Sequence, residues 1–266
     1  MKRSIISVCL LLLATTSAWA HDTWVQTNTN LVRVRDAVHI DLMLGNHGND
    51  HRDFKLASKI DLAGCELKVH SPGGKSFDVK DQLIDLGYAP KEGFWTTKFA
   101  TAEAGVYVIE HTIDRVVNHG QAVRSIKSAK SFFLASTSLD KVPADLPGFE
   151  KPLGHALELV PVTNPVAPMG PGKAIQVRVL LKGKPLANGR VSFIPRGQTL
   201  AKDFDSQYER HTDEQGLASF TPTTGNYYLV VVHHKSLEEK SKDYDLTQYS
   251  ATLTVFVPDV CPCCGD

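Results

Sequence analysis

The 266-residue sequence has no excess of charge of either sign, because 29 basic residues balance 29 acidic ones. Proteins that bind nucleic acid or anionic membranes through electrostatics carry a surplus of Lys and Arg, so the composition predicts neither partner. Beyond residue 20 the sequence also has no run of about 18 apolar residues, the length that a membrane-spanning helix requires. It contains no G-x-S-x-G, P-loop or H-E-x-x-H motif, so it carries no signature of these enzyme classes.

The first 20 residues have the three parts of a secretory signal peptide. Lys2 and Arg3 form a positive start, an apolar run covers residues 5–14, and a small-x-small cleavage site ends at Ala20. Cleavage there leaves a mature chain of 246 residues (266 minus 20) that begins with His21. The sequence therefore predicts a periplasmic or secreted protein with no membrane span after the signal is removed.

Alternation of apolar and polar residues dominates the rest of the chain, as expected for β-strands with one buried face. In "AVHIDLML" (residues 37–44) every second side chain is apolar, and Gly- and Pro-rich turns such as "SPGGK" (residues 71–75) separate the runs. The pattern predicts an all-β protein made of two β-sandwiches, immunoglobulin-like or transthyretin-like. Residues 53–60 and 235–242 are each expected to hold a turn or two of helix.

A segment without alternation interrupts the chain near its middle. "STSLDKVPADLPGFEKPLG" is rich in proline, serine and charged residues, which is typical of a linker. The sequence therefore divides into a signal peptide and four further parts. These are residues 1–20 (signal peptide), 21–140 (amino-terminal β-sandwich), 141–154 (linker), 155–258 (carboxy-terminal β-sandwich) and 259–266 (cysteine-rich tail).

Several motifs follow one another in a fixed order along the chain. They are "AHDTWV" (20–25), "SAKSFFLA" (128–135), "GHALELVPVTNP" (154–165), "KAIQVRVLLKGKPLANGRVSFIPRG" (173–197) and "HTDEQGLASFTPTTGNYYLVVVHH" (211–234). This series resembles the DUF4198 family, often labelled a NikM-like or periplasmic component of cobalt and nickel transport. The resemblance implies a metal ion and a membrane transporter component as partners. The second half is also similar to the transthyretin-like modules of carboxypeptidase regulatory domains, which implies a structural role for it.

A mature chain that begins with His21 offers two nitrogen ligands from one residue, the α-amine and an imidazole nitrogen. The α-amine has a pKa of about 8, so a metal ion displaces its proton at modest cost. One further histidine completes a three-nitrogen set, which suits Cu(II) or Ni(II) in a tetragonal arrangement. This arrangement is similar to the histidine brace of exported copper proteins. The alternative is that His21 merely starts a strand.

Two histidines in "GNHGNDH" are the nearest candidates to complete the set. Residues 22–27 and 37–44 are expected to form consecutive antiparallel strands, so the start of the first lies beside the end of the second. His21 belongs to that start, and His47 and His51 follow that end. The alternative for this segment is a polar turn with exposed histidines.

Two other histidines are weaker candidates as metal ligands. His111 is expected on a strand and His119 in the loop that follows it, "RVVNHGQ". Either would approach the site from a neighbouring strand. The alternative for each is an ordinary hydrogen-bonded or solvated histidine.

Four cysteines remain after cleavage, and three of them crowd into the last six residues. Thiolates suit Cu(I) or Zn(II), whereas an exported compartment also permits disulfides. The sequence does not choose between a soft-metal site and a disulfide, nor among the three pairings that four cysteines allow. The residues are Cys65, Cys261, Cys263 and Cys264.

The leading hypothesis is an exported metal-binding protein, not an enzyme, for Cu(II) or Ni(II)/Co(II). Its role would be scavenging, or delivery to a transporter. A first alternative is an oxidative copper enzyme with the same brace, but no aromatic substrate platform stands out, since Trp24 and Trp95 are expected in the core. A second alternative is a metal-free structural or adhesive surface module.

Overall fold

The computed structural model describes residues 21–45, 52–118, 120–143 and 145–259. Within these ranges it contains 18 β-strands, a single short 3-10 helix (Lys80–Gln82) and no helix able to cross a membrane. The all-β prediction is confirmed. The strands are β1 (Asp22–Thr27), β2 (Leu31–Arg33), β3 (Ala37–Gly45), β4 (Leu56–Ser58), β5 (Cys65–His70), β6 (Ser76–Asp78), β7 (Ile84–Asp85), β8 (Trp95–Ala100), β9 (Gly105–Asn118), β10 (Ala122–Ser136), β11 (Leu157–Pro161), β12 (Ile175–Leu181), β13 (Lys184–Pro185), β14 (Arg190–Pro195), β15 (Glu209–His211), β16 (Leu217–Phe220), β17 (Asn226–Ser236) and β18 (Leu246–Val257).

The two short helical turns expected from the sequence are absent. Residues 56–58 form strand β4, which pairs with β3. Strand β17 extends to Ser236, and the chain then runs through bends and turns to β18 without a helix. Cross-strand pairing therefore outweighs the weak local helix preference at residues 56–58 and 235–236.

The strands form three sheets. The central sheet has nine strands in the order β15-β14-β17-β18-β10-β9-β5-β6, with β2 paired to β10. The front sheet has the order β1-β3-β8-β7, with β4 on β3, and the back sheet has the order β11-β12-β13, with β16 on β12. Residues 123–131 of β10 run parallel to residues 246–254 of β18, so the central sheet is built from both halves of the chain.

The front and back sheets cover opposite faces of the central sheet. Successive side chains of a strand point to opposite faces. Accordingly, Tyr107 and Phe133 pack in one apolar core with the front sheet, whereas Val106 and Phe132 pack in another core with the back sheet. The result is two β-sandwiches that share the central sheet. The fold class predicted from the sequence, all-β with β-sandwiches, is confirmed.

Strand β10 is buried on both faces although it carries two lysines. Every residue from Lys127 to Ser136 is buried. On the back face the Lys130 ammonium pairs with the Glu158 carboxylate, and these side chains are only 3% and 1% exposed. Burial lowers the pKa of Lys130, and Glu158 opposes that effect. Each of these charges is therefore tolerated in the interior only because the other is present.

Beside this pair on the back face, the Glu110 carboxylate accepts hydrogen bonds from two imidazoles. Nε2 of His70 and Nε2 of His155 each lie 2.6 Å from one of its oxygens. Burial by itself would raise the pKa of Glu110. The two hydrogen bonds outweigh this effect and hold the pKa far below its usual 4.5. The cluster ties β5 and β9 to the segment that leads into β11.

A Glu110→Gln variant tests this arrangement through pH. The folded state holds Glu110 ionised while the unfolded state protonates it near its usual pKa of 4.5, so wild-type stability is lost as pH falls below that value. Glutamine does not titrate. We expect the variant to be less stable than wild type at pH 7, with a shallower loss of stability in acid. Urea unfolding between pH 7 and pH 3 measures this, and equal acid slopes for the two proteins would contradict it.

A third apolar cluster joins the front sheet to the carboxy-terminal strands of the central sheet. Its largest member is Trp24 of β1, whose ring lies 5.2 Å from that of Phe54 at an angle of 78°. The cluster fixes β1 against β14 and β17. Its other buried members are Met43, Ile194, Leu200, Leu229 and Val231.

Candidate metal site at the start of the first strand

The start of β1 lies beside the end of β3. The two strands are antiparallel, with Asp22 opposite Gly45. The predicted pairing of these strands is therefore confirmed. The chain continues from Gly45 into residues 46–51, which lie outside the described residues, as do the predicted ligands His47 and His51.

The chain returns from this segment close to where it left. Leu56 of β4 pairs with Gly45, so the stretch after Arg52 runs back along the end of β3. Gly45 has to be glycine, because a Cβ there would collide with the Lys55 carbonyl oxygen and with the Trp24 ring. Gly45, the residue that precedes this segment, is thus held opposite Asp22 of β1.

Asp22, the residue after the candidate ligand, is tied to the second half of the chain. Its side chain is fully buried, and its two carboxylate oxygens lie 2.9 and 3.0 Å from Nε2 of His233 on β17. The imidazole N–H donates to the carboxylate. This contact fixes the direction in which the chain enters β1.

Lys127 anchors the backbone of His21 itself. Its side chain lies on the front face of the central sheet, and its ammonium donates a hydrogen bond to the His21 carbonyl oxygen. Burial lowers the pKa of Lys127 to about 8, and the charge of Asp22 opposes this effect. A second contact holds the backbone two residues after His21, where the Thr252 hydroxyl donates a hydrogen bond to the Thr23 carbonyl oxygen at 2.8 Å. The start of β1 is therefore fixed by side chains from two strands beneath it.

His111 is a fully buried, neutral imidazole on the same face. Its Nδ1 lies 2.9 Å from the Glu66 carbonyl oxygen, which can only accept, so Nδ1 carries the proton. Nε2 therefore holds a lone pair, and it has no hydrogen-bond partner within the described part of the chain. Burial lowers the pKa of His111 to about 4. A carbonyl that fixes the tautomer in this way is typical of metal-binding histidines, although it also occurs in buried structural ones.

The remaining predicted ligands are not brought to this site by the described residues. His119 and the tail cysteines, Cys261, Cys263 and Cys264, lie outside them. Cys65 is a free, buried thiol on β5 whose sulfur lies 3.3 Å from the Asp61 carbonyl oxygen. Burial raises the pKa of Cys65 to about 11, which makes the thiol a poor nucleophile and a poor metal ligand. No group of three or more His, Cys, Asp or Glu in the described part of the chain is arranged to hold a metal ion.

Sequence reasoning missed Lys127. Lys127 directly precedes "SAKSFFLA" in an alternating stretch, and a lysine there reads as solvent-exposed. The informative signal was the run of buried-type residues on both sides, which indicates a strand covered on both faces. A lysine inside such a strand needs a partner.

Comparison with known proteins identifies the family. Residues 18–236 match DUF4198, a domain of unknown function. The chain belongs to the DUF4198 family. A search of curated proteins gives no match to this DUF4198 protein.

Three solved structures illustrate what the fold is similar to, each at 11% sequence identity. The chain matches a DUF4785 family protein of Legionella pneumophila with a TM-score of 0.28, covering 89% of this chain and 56% of that one. It matches fibronectin(III)-like modules of Clostridium thermocellum CbhA with a TM-score of 0.20, covering 88% and 93%. It matches the Yersinia pseudotuberculosis adhesin InvE with a TM-score of 0.22, covering 90% and 59%. The chain thus spans little more than half of the Legionella and Yersinia proteins, and none of these similarities bears on its function.

Proposed function

We propose that this protein is an exported metal-binding protein that holds Cu(II), or Ni(II)/Co(II), with His21 as its amino-terminal ligand. His47 and His51 would complete the nitrogen set. The bound metal would be scavenged from the periplasm or medium, or delivered to a membrane transporter component. The observation that supports this proposal most directly is the pairing of Asp22, the residue after His21, with Gly45, the residue from which the chain enters segment 46–51.

The anchoring of residues 21–23 supports the same proposal. A ligand set costs less entropy to assemble when its backbone is already fixed. Here Lys127 holds the His21 carbonyl, and His233 holds the adjacent Asp22. A terminal residue ordinarily frays, so these contacts favour a role for the terminus that depends on its position.

His111 is a further candidate for the same metal ion. Its lone pair on Nε2 faces the interior without a donor, and its pKa of about 4 keeps it available at neutral pH. It lies on the same face of the central sheet as Lys127, since Ala129, its register partner, is two residues from that lysine. His111→Leu tests whether it is a ligand or only part of the core.

The experiment uses protein exported through its own signal, with the first residue checked by mass spectrometry. Calorimetric titration with Cu(II) and with Ni(II) is expected to give one equivalent. One alanine inserted before His21 removes the amine–imidazole chelate and is expected to weaken binding about 100-fold, or nearly 3 kcal/mol. His47→Ala and His51→Ala are each expected to weaken it about tenfold.

His39→Ala is the matched control, because His39 is exposed and lies towards the far end of β3. It is expected to leave affinity and stoichiometry unchanged. Unaltered binding after the alanine insertion would rule out the amino-terminal chelate. A protein that binds neither metal, and whose melting temperature neither metal shifts, would instead be the metal-free surface module.

A further inference from the structure

The back face of the central sheet carries a cavity of about 550 Å³, unrelated to the start of β1. This volume is within the range of about 300–1,000 Å³ that is usual for small-molecule sites. The floor is the beginning of β9, with Val106 and Val108. One side is the turn after β5 (residues 70–74), and the other is the connection between the two halves (residues 146–153).

The wall formed by the connection is held in place. The Glu158 carboxylate accepts backbone N–H groups from Leu153 at 2.6 Å, Gly154 at 3.0 Å and His155 at 3.2 Å. Leu146 and Leu153 pack against the back core. The cavity is therefore enclosed by fixed backbone on this side, although the connection contains no strand.

One polar side chain in the wall has a fixed orientation. His70 lines the cavity, and its Nε2 lies 2.6 Å from Glu110. Because Glu110 stays ionised, Nε2 carries a proton and donates to it. The second oxygen of Glu110 accepts a hydrogen bond from His155, so the carboxylate is held at both oxygens and cannot rotate.

The charge of the lining has one sign. Among the described residues that line the cavity, Lys151 is the charged one, and none of them is a carboxylate. The other lining groups are largely apolar, and burying hydrocarbon against them is favourable. A ligand that matches this surface has an apolar body and a single negative end. The apolar residues are Pro72, Ala104, Val106, Val108, Leu146, Pro147 and Leu153.

We propose that this cavity binds a small carboxylic acid with an apolar body, whose carboxylate pairs with Lys151. The apolar part lies on Val106 and Val108 against Leu146 and Leu153. This proposal is independent of metal binding, because it concerns the opposite face of the central sheet from His21. A positively charged ligand of the same size would be rejected by Lys151, and a neutral one would gain only the apolar contact.

The test is calorimetric titration of the full chain, without metal, with three probes of equal chain length: octanoate, 1-octanol and octylammonium. Octanoate is expected to bind saturably, and about tenfold more tightly than octanol. Lys151→Met is expected to weaken octanoate about tenfold and to leave octanol unchanged. Lys141→Met is the matched control, since Lys141 is an exposed lysine of the same connection that does not line the cavity.

A second variant addresses the cavity directly. Ala104 is exposed at its rim, so Ala104→Phe fills the opening without disturbing the core and is expected to abolish octanoate binding. Unchanged circular dichroism and melting temperature establish that it is folded. Absence of saturable octanoate binding to wild type, equal binding of octylammonium, or octanoate binding unaffected by Lys151→Met would each overturn the proposal.

Discussion

Replacing Glu209 with glutamine is expected to lower the free energy of unfolding by about 3–5 kcal/mol. Glu209 pairs with Arg52 through two hydrogen bonds, of 2.6 and 2.9 Å, and the two side chains are 0% and 6% exposed. Glu209 also accepts the Ser192 hydroxyl and the Asp205 backbone N–H. Glutamine keeps the shape but leaves the Arg52 charge buried without its counter-charge, which is the costly way to break such a pair.

Two comparisons make this result specific. The first is the double variant that combines Arg52→Met with Glu209→Gln. It leaves no buried charge without a partner, so we expect this double variant to be more stable than Glu209→Gln alone. Asp114→Asn is the matched surface control, because Asp114 pairs with Arg124 at 2.6 Å but the two side chains are 46% and 37% exposed. Pairs of that kind contribute about 0–1 kcal/mol. Urea unfolding in which Glu209→Gln costs no more than Asp114→Asn would contradict the prediction.

Truncating Trp24 to alanine is expected to cost about 3–5 kcal/mol, the range for large aromatic side chains in a core. Trp24 is 1% exposed and is the centre of the cluster that fixes β1 to β14 and β17. Trp24→Phe is expected to cost far less. The indole Nε1–H of Trp24 is buried and has no acceptor among the residues that the structure describes, so phenylalanine removes an unsatisfied donor together with part of the ring.

Trp95 provides the comparison for this second prediction. Its indole Nε1 donates to the Ile60 carbonyl oxygen at 2.7 Å, so Trp95→Phe loses a real hydrogen bond and leaves that oxygen without its partner. We therefore expect Trp95→Phe to be more destabilising than Trp24→Phe, although Trp95 is less buried. Chemical unfolding of the two variants measures the order, and the opposite order would contradict the argument.

Much of the fold follows from local pattern. The alternation in residues 37–44 correctly predicts β3, because Val38, Ile40 and Leu42 are buried while His39 is exposed. The antiparallel pairing of β1 with β3 follows from their nearness in sequence. The parallel pairing of β10 with β18 cannot be predicted in this way. The two strands are more than 100 residues apart, and no local pattern in either one specifies their register. The shared central sheet therefore emerges only from the structure.

The candidate site divides in the same way. The pairing of Asp22 with Gly45 follows from the closeness of β1 and β3 in the sequence, so sequence reasoning reaches it. The anchors beneath β1 come from Lys127 and His233, which belong to strands far away in the chain. The same holds for His111, whose protonated nitrogen is decided by a carbonyl on a neighbouring strand. The alternation of apolar and polar residues indicates which face of a strand a residue occupies, but it does not indicate which side chains of the facing sheet that residue contacts.

The position of β10 has a consequence for biosynthesis. Its partner β18 is the last strand of the fold described here, so a nascent chain that has emerged only as far as β10 exposes residues 123–131 as an unpaired edge. Edges of this kind recruit other strands and promote aggregation. Proteolytic nicking before β18 would thus leave an aggregation-prone fragment with a free edge on β10.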